Sequence, residues 1–160
     1  MNIIGSTTLT LNSTAKNCLG AMLIVIGCLI YLLFRSKTLY IYLWCKSLGL
    51  SALIDKLRFA VFDWSVPDFI KYSLPDGLYC AAYLFIMDAI WHDEKNKVKY
   101  LLMFIVPIIT VTSEILQIFN IAPGTFDIMD LVCYCTPPFM YIGGIIIKKT
   151  SLTFLKTKSL

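Results

Sequence analysis

Three carboxylates and an amide recur at short intervals within one stretch of the chain. Glu114 precedes Gln117 by three residues, and Asp127 precedes Asp130 by the same interval. Side chains at positions i and i+3 share one face of a helix, so each pair presents two polar groups to the same side. Close-set carboxylates could bind a hard divalent cation, divide acid and base roles between them, or relay protons. The residue types leave these three chemistries open.

The composition around these carboxylates is that of a membrane protein. The 160 residues are 58% hydrophobic and only 15% charged, with a mean hydropathy of +0.76. A soluble domain carries roughly 25% charged residues. The formal net charge of +4 is spread over segment ends and the tail, which suits contact with anionic lipid headgroups and argues against nucleic acid as a partner. We therefore predict a single all-α membrane domain whose main partner is the lipid bilayer.

Four apolar segments predict four transmembrane helices, at about residues 17–34, 74–91, 100–120 and 128–147. The first is an uncharged run of eighteen residues. As a helix it would be about 27 Å long, against a hydrocarbon core of roughly 30 Å. Pro107 predicts a kink in the third span, and Pro137-Pro138 predicts a break in the fourth. The expected fold class is a polytopic membrane helical bundle.

Residues 36–73, between the first two spans, predict amphipathic helices at the membrane surface. The apolar runs here are short because charged residues interrupt them: Lys46, Asp55, Lys56 and Arg58. Trp44 and Trp64 suit the headgroup level, where amphipathic aromatic rings concentrate. A fifth span through Lys46 is an alternative that the sequence leaves open.

Three further features bear on metals, cofactors and processing. The six cysteines fall in apolar runs without metal-ligand spacing, which favours a role as small hydrophobic residues and predicts neither a metal site nor a cofactor. His92 is the single histidine and stands among charged residues, so we expect it at the surface. Residues 1–16 lack the basic region of a signal peptide, so no cleaved leader is predicted.

The distribution of basic residues predicts a plasma-membrane protein with cytoplasmic termini. On one side of the four spans lie Lys16, the loop residues Lys95, Lys97 and Lys99, and the tail residues Lys148, Lys149, Lys156 and Lys158. The turn between the third and fourth spans contains no basic residue. This asymmetry follows the positive-inside rule. Six basic residues from Arg35 to Lys71 lie on the opposite side and oppose this orientation.

The alternating direction of the spans brings the acidic residues toward one face of the membrane. Asp76 begins the second span, Glu114 lies late in the third, and Asp127 and Asp130 begin the fourth. With cytoplasmic termini this face is the extracytoplasmic one. Asp88, near the end of the second span, belongs to the other face. We predict a polar pocket formed by Asp76, Glu114, Gln117, Asp127 and Asp130.

Structural explanations compete with binding at each of these positions. Asp127 with Asp130, and Ser73 with Asp76, have the spacing of helix N-terminal caps. Glu114 lies inside its predicted helix, where an acid costs about 2.5–3.5 kcal/mol on insertion scales. A hydrogen-bonded contact between helices is the structural explanation for Glu114. Because capping does not account for it, Glu114 is the strongest candidate for a functional residue.

The same residues resemble the pattern of the VanZ-like family of small bacterial multi-pass membrane proteins. In that family an acid opens one helix, Glu-x-x-Gln lies late in the next, and Asp-x-x-Asp starts the last. Asp76, Glu114, Gln117, Asp127 and Asp130 match these positions, and the resemblance covers about residues 74–144. Where the family often has Lys, His and Arg, this chain has Gly77, Cys80 and Gly124. The resemblance implies a role in the cell envelope, associated with tolerance of glycopeptide antibiotics.

Three functions are compatible with these observations. The favoured hypothesis is an envelope membrane protein whose extracytoplasmic pocket binds a lipid headgroup, a cation or a lipid-linked envelope component. The first alternative is a membrane-embedded enzyme that acts on a lipid-linked substrate, with Glu114 and Asp130 as base or metal ligands. The second alternative is a structural bundle or a partner subunit.

Overall fold

A computed structural model describes the backbone of residues 11–94 and 96–157, and the side chains within these ranges up to Ile147 and at Thr150. Several residues of the sequence predictions lie outside the described residues. They are residues 1–10 of the N-terminal segment, Lys95 of the basic loop and Lys158 of the basic tail. The side chains of Lys148, Lys149 and Lys156 are also outside them.

The described chain is built from seven α-helices, which confirms the predicted all-α class. In chain order they are α1 (Ser13–Phe34), α2 (Tyr40–Ser47), α3 (Ser51–Ala60), α4 (Asp68–Tyr72), α5 (Leu74–Ile90), α6 (Lys97–Ile118) and α7 (Ile128–Thr157).

Three of these helices are long and apolar enough to cross a membrane: α1, α6 and the Ile128–Ile147 part of α7. The chain is therefore a membrane protein by the length and composition of its helices. The segment predicted as the second span forms helix α5, which has 17 residues and is not one of these three. Helices α2, α3 and α4 have only 8, 10 and 5 residues, well below the roughly 20 residues that a spanning helix needs. A fifth span through Lys46 is therefore excluded, because α2 ends one residue later at Ser47.

The helix ends follow from local chemistry and differ in several places from the predicted bounds. α1 begins after Asn12, whose side chain accepts a hydrogen bond of 2.8 Å from the backbone amide of Ala15. This is the standard N-terminal cap. α6 ends at Ile118, two residues earlier than predicted, and Asn120 then adopts a φ of 55°. Asn tolerates this left-handed conformation better than most residues, and it reverses the chain toward α7.

The predicted break at Pro137-Pro138 is wrong, because α7 continues through both prolines. A proline at position 138 removes the amide that would bind the carbonyl of Tyr134. That carbonyl instead accepts a hydrogen bond from the thiol of Cys80 on α5, with Sγ at 3.7 Å. A neighbouring helix thus satisfies the freed carbonyl, as continuity of a helix in a membrane requires.

Helix α5 occupies the centre and contacts α1, α6 and α7. Contacts at both of its ends show that α5 is antiparallel to α1 and α6 and parallel to α7. Small residues let the backbones approach. A Cβ atom at Gly77 would lie 3.0 Å from the carbonyl oxygen and the Cβ of Cys133 on α7. The close crossing of α5 and α7 therefore requires glycine at position 77. Small residues are common at such contacts between membrane helices.

At one end of the bundle, a single carboxylate contacts all three neighbours of α5. Asp88 forms ion pairs of 2.6 Å with Lys16 of α1 and 2.8 Å with Lys99 of α6. It also accepts a hydrogen bond of 2.8 Å from the hydroxyl of Tyr141 on α7. The side chains of Asp88 and Lys99 are only 13% and 9% exposed. We call these four residues the Asp88 cluster.

Replacing Asp88 by Asn is expected to destabilise the bundle strongly. Two lysine ammonium groups would then face each other without a carboxylate, and breaking a buried ion pair costs about 3–5 kcal/mol. Thermal unfolding of the purified chain in detergent, followed by circular dichroism, would measure the loss. The matched control is Asp93→Asn, because the Asp93 side chain is 98% exposed. Equal melting temperatures for Asp88→Asn and the wild type would contradict the role given to this cluster.

Candidate functional site

The opposite end of the bundle brings together the acidic residues that the sequence singled out. Asp76 lies in the first turn of α5, Glu114 in the last two turns of α6 and Asp130 in the first turn of α7. These three carboxyl groups are close enough to influence one another electrostatically. We call them the acidic cluster. The alternation of the long helices therefore places these residues at one end, as predicted, and Asp88 at the other.

Two tyrosines engage the carboxylate of Asp76. The hydroxyl of Tyr31, near the end of α1, donates a hydrogen bond to Asp76 Oδ1. The hydroxyl of Tyr134 on α7 also lies beside this carboxylate. The capping role considered for Ser73 and Asp76 is not observed, since Ser73 makes no side-chain capping bond and its buried Oγ has no partner among the residues that the structure describes. Asp76 is instead a contact point between α1, α5 and α7.

Glu114 is the most deeply buried member of the acidic cluster. The residue is only 6% exposed. Its Oε1 accepts a hydrogen bond of 3.2 Å from Gln117 Nε2, which confirms that these two side chains share a helix face. The backbone amide of Asp127 also lies near the carboxyl group. Glu114 Oε2 is buried and has no hydrogen-bond partner among the described residues.

The loop between α6 and α7 approaches closely over Gln117. Gly124 has a φ of +122°, and a Cβ atom there would lie 3.1 Å from Cδ and Nε2 of Gln117. Both the backbone conformation and the contact favour glycine at this position. Gly124 thus takes part in holding the amide of Gln117 toward Glu114, where the VanZ-like pattern commonly has an arginine.

The two aspartates that start α7 have different surroundings. Asp127 is exposed and precedes the first residue of α7. Its Oδ1 accepts a hydrogen bond of 2.8 Å from the backbone amide of Met129, so Asp127 is an N-terminal cap. Asp130 points inward, and its Oδ1 is buried without a partner in the described structure. Capping therefore accounts for Asp127. Asp130 and Glu114 remain as the residues with a buried carboxylate oxygen that no described residue binds.

A positive side chain that the motif did not reveal lies beside the acidic cluster. The guanidinium carbon of Arg35 lies 5.0 Å from the ring centroids of both Tyr31 and Tyr72. Tyr31 is the residue that binds Asp76, so Arg35 supplies a cation next to the cluster from the end of α1. The sequence signal was weak, because Arg35 is 41 positions from Asp76 in the chain.

The arrangement of the carboxylates bears on the chemistry that they can perform. Hard cations in proteins take about six to eight oxygen ligands. Within residues 11–94 and 96–157, no three His, Cys, Asp or Glu side chains lie close enough to hold a metal ion together. The cluster instead offers buried carboxylate oxygens as hydrogen-bond acceptors, next to hydroxyl donors from tyrosines. This suits recognition of a group that brings its own hydrogen-bond donors.

An apolar groove lies on the surface between α6 and α7. Its volume is about 270 Å³, and side chains of α6 and α7 line it, among them Pro107, Val111, Thr112, Cys135 and Pro138. Thr112 and Val111 precede Glu114 by two and three residues, about 3–5 Å along the helix axis. The groove therefore begins within one helical turn of Glu114 along the axis of α6.

Comparisons of this chain with models of protein families, with curated proteins and with solved structures find no match. The resemblance to the VanZ-like family consequently stays a prediction from the residues that carry it.

Asp127 gives a test that separates capping from binding. Asp127→Ala removes the cap of α7 and is expected to cost about 1 kcal/mol of unfolding free energy, whereas Asp127→Asn keeps an accepting oxygen and should cost little. Thermal or denaturant unfolding in detergent would measure both variants. If Asp127→Asn destabilises the chain as much as Asp127→Ala, the negative charge and not the cap is what matters at this position.

Proposed function

We propose that this chain is a plasma-membrane protein of the bacterial envelope whose acidic cluster binds the cationic headgroup of a lipid-linked component. In this proposal α1, α5, α6 and α7 span the bilayer, and the acidic cluster faces the extracytoplasmic side. The bound group is a primary ammonium or a similar donor-rich group. The lipid bilayer supplies the ligand laterally.

The buried, unpartnered carboxylate oxygens of Glu114 and Asp130 carry this proposal. Leaving a buried acceptor unsatisfied costs about 1–3 kcal/mol, and more when the group is charged. A ligand that donates hydrogen bonds to both oxygens would recover this cost. An ammonium group has three donors and a positive charge, so it matches both needs.

The groove between α6 and α7 supports a lipid as the carrier of that headgroup. Its lining is apolar, and it begins within one helical turn of Glu114. A hydrocarbon chain in the groove would place the attached headgroup at the level of the acidic cluster. This arrangement also favours a lipid over a soluble metabolite as the ligand, because a soluble molecule would leave the groove unoccupied.

Two features support the proposed arrangement in the bilayer. α5 is about 25 Å long at 1.5 Å per residue, and its two acids, Asp76 and Asp88, lie near its ends, where tyrosines and lysines bind them. The segment from α2 to α4 exposes aromatic rings that suit the headgroup level: Trp44, Phe59, Phe62 and Trp64 are 67%, 84%, 82% and 64% exposed. These helices are proposed to lie at the membrane surface.

Replacing Glu114 by Gln is expected to weaken binding of an ammonium-bearing lipid about tenfold or more. A hydrogen bond to a charged group contributes about 1.5–3 kcal/mol, and 1.4 kcal/mol corresponds to a factor of about ten. Native mass spectrometry of the purified chain would compare retention of phosphatidylethanolamine with that of phosphatidylglycerol. The matched control is Glu94→Gln, an identical change in the exposed loop after α5.

The outcome for Glu114→Gln distinguishes the three functions. Lost lipid preference with an unchanged melting temperature supports the binding site. Unchanged lipid preference together with an unchanged melting temperature contradicts it. A lower melting temperature with unchanged lipid preference would assign Glu114 to a structural contact between helices. Turnover of a lipid-linked substrate that depends on Glu114 would favour the enzyme alternative.

Accessibility of the loop between α6 and α7 tests the proposed orientation. Thr125 lies in this loop and is exposed. In intact cells, a membrane-impermeant maleimide should label Thr125→Cys above the wild-type background. Asp93→Cys, at the opposite end of the bundle, should be labelled only after permeabilisation. The reverse pattern would place the acidic cluster on the cytoplasmic side and overturn this part of the proposal.

A further inference from the structure

A second polar cavity lies outside the acidic cluster, between the end of α1 and the short helices α3 and α4. Its volume is about 300 Å³, at the lower end of the range of roughly 300–1,000 Å³ for ligand pockets. Arg58 of α3 and Lys71 of α4 contribute the charged side chains to its lining. No carboxylate of the described residues lines it. We call it the basic cavity.

The guanidinium of Arg58 is fixed in place, yet part of it is unused. Its Nε donates a hydrogen bond of 3.2 Å to the carbonyl of Leu33, and its Nη2 donates to the carbonyl of Arg35. These carbonyls lie at the C-terminal end of α1, where helix carbonyls lack internal partners. The remaining nitrogen, Nη1, is buried and has no hydrogen-bond partner among the described residues. A buried donor on a permanently charged group is unfavourable unless an acceptor binds it.

Two carboxylates near the cavity, Asp55 and Asp68, lie outside its lining. Asp55 pairs with Lys37 at 2.7 Å, and the hydrogen bond from Lys37 holds the pKa of Asp55 below its ordinary value. Asp68 pairs with Lys71 at 3.4 Å, but the Asp68 side chain is 84% exposed. An exposed pair of this kind contributes little to stability. Among the described residues, the charged side chains that line the basic cavity itself are both positive.

The rim of the cavity has the composition of a membrane interface. Trp64 and Tyr72 line it, and Trp64 is 64% exposed. Tyr72 also stacks on Arg35, whose other face meets Tyr31 beside the acidic cluster. The two sites are thus neighbours at the same end of the bundle. Arginine and lysine around a pocket at headgroup depth match the phosphate of a lipid in charge and in donors.

We propose that the basic cavity, formed by Arg58 and Lys71 between α1, α3 and α4, binds a phosphate group. The guanidinium of Arg58 and the ammonium of Lys71 supply the positive charge and the donors for the phosphate oxygens. The group belongs either to a lipid headgroup of the adjoining leaflet or to free phosphate. This site is independent of the acidic cluster. It assigns a role to part of the basic segment from Arg35 to Lys71, and this role does not depend on membrane orientation.

Binding of short-chain phosphatidic acid to the purified full chain in detergent tests this site. Isothermal titration calorimetry should show that Lys71→Gln weakens binding about fivefold, which corresponds to the loss of one cation at an interface. Arg58→Lys keeps the charge but removes the planar set of donors, and it should also weaken binding. Lys56→Gln is the matched control, because Lys56 lies on α3 but is exposed and does not line the cavity.

The controls separate a defined site from general attraction to anions. Equal weakening by Lys56→Gln would overturn the proposal, as would equal affinity for short-chain diacylglycerol, which lacks the phosphate. If Arg58→Lys fails to fold, Lys71→Gln still decides the matter. Full competition by inorganic phosphate supports the site and assigns free phosphate to it, whereas retention of phosphatidic acid against inorganic phosphate supports the site and assigns the lipid. Glu114→Gln should leave phosphate binding unchanged, so this test stands apart from that of the acidic cluster.

Discussion

The carboxylate of Asp88 is the contact on which the arrangement of the long helices depends. In a bilayer the lipid chains are as apolar as leucine, so hydrophobic burial does little to select one helix neighbour over another. Asp88 on α5 binds Lys16 of α1, Lys99 of α6 and Tyr141 of α7. One side chain thereby fixes which helices surround α5 and the end at which they meet. The close approach of Gly77 to Cys133 then sets how tightly α5 and α7 cross.

The two ends of the bundle use their acids in opposite ways. Every oxygen of the Asp88 carboxylate has a partner, and two cations surround it. At the other end, Glu114 Oε2 and Asp130 Oδ1 are buried and have no hydrogen-bond partner in the described part of the chain. Buried polar groups without hydrogen-bond partners are expected mainly at functional sites. The contrast between a satisfied end and an unsatisfied end is the reason to place ligand binding at the acidic cluster.

The short helices between α1 and α5 matter for the charge at that same end. Arg35 stacks between Tyr31 and Tyr72, and Arg58 binds the carbonyls at the end of α1. At the positions where the VanZ-like pattern has positive residues near its acids, this chain has Gly77, Cys80 and Gly124. The cations at this end of the bundle are Arg35 and Arg58, which are distant from the acidic residues in the sequence. An end with both a carboxylate group and a basic cavity suits headgroups that carry both signs of charge.

The sequence by itself determined the elements that depend on composition and local spacing. Apolar runs predicted the helices, and the i,i+3 spacing placed Gln117 beside Glu114, because both signals lie within a few residues of each other. Alternating helix direction also separated Asp88 from the other acids. Only the tertiary structure decided that Asp88 binds two lysines, that Cys80 compensates for Pro138, and that Arg35 accompanies Asp76. Those contacts join residues that are far apart in the chain, and no local pattern encodes which helix faces meet.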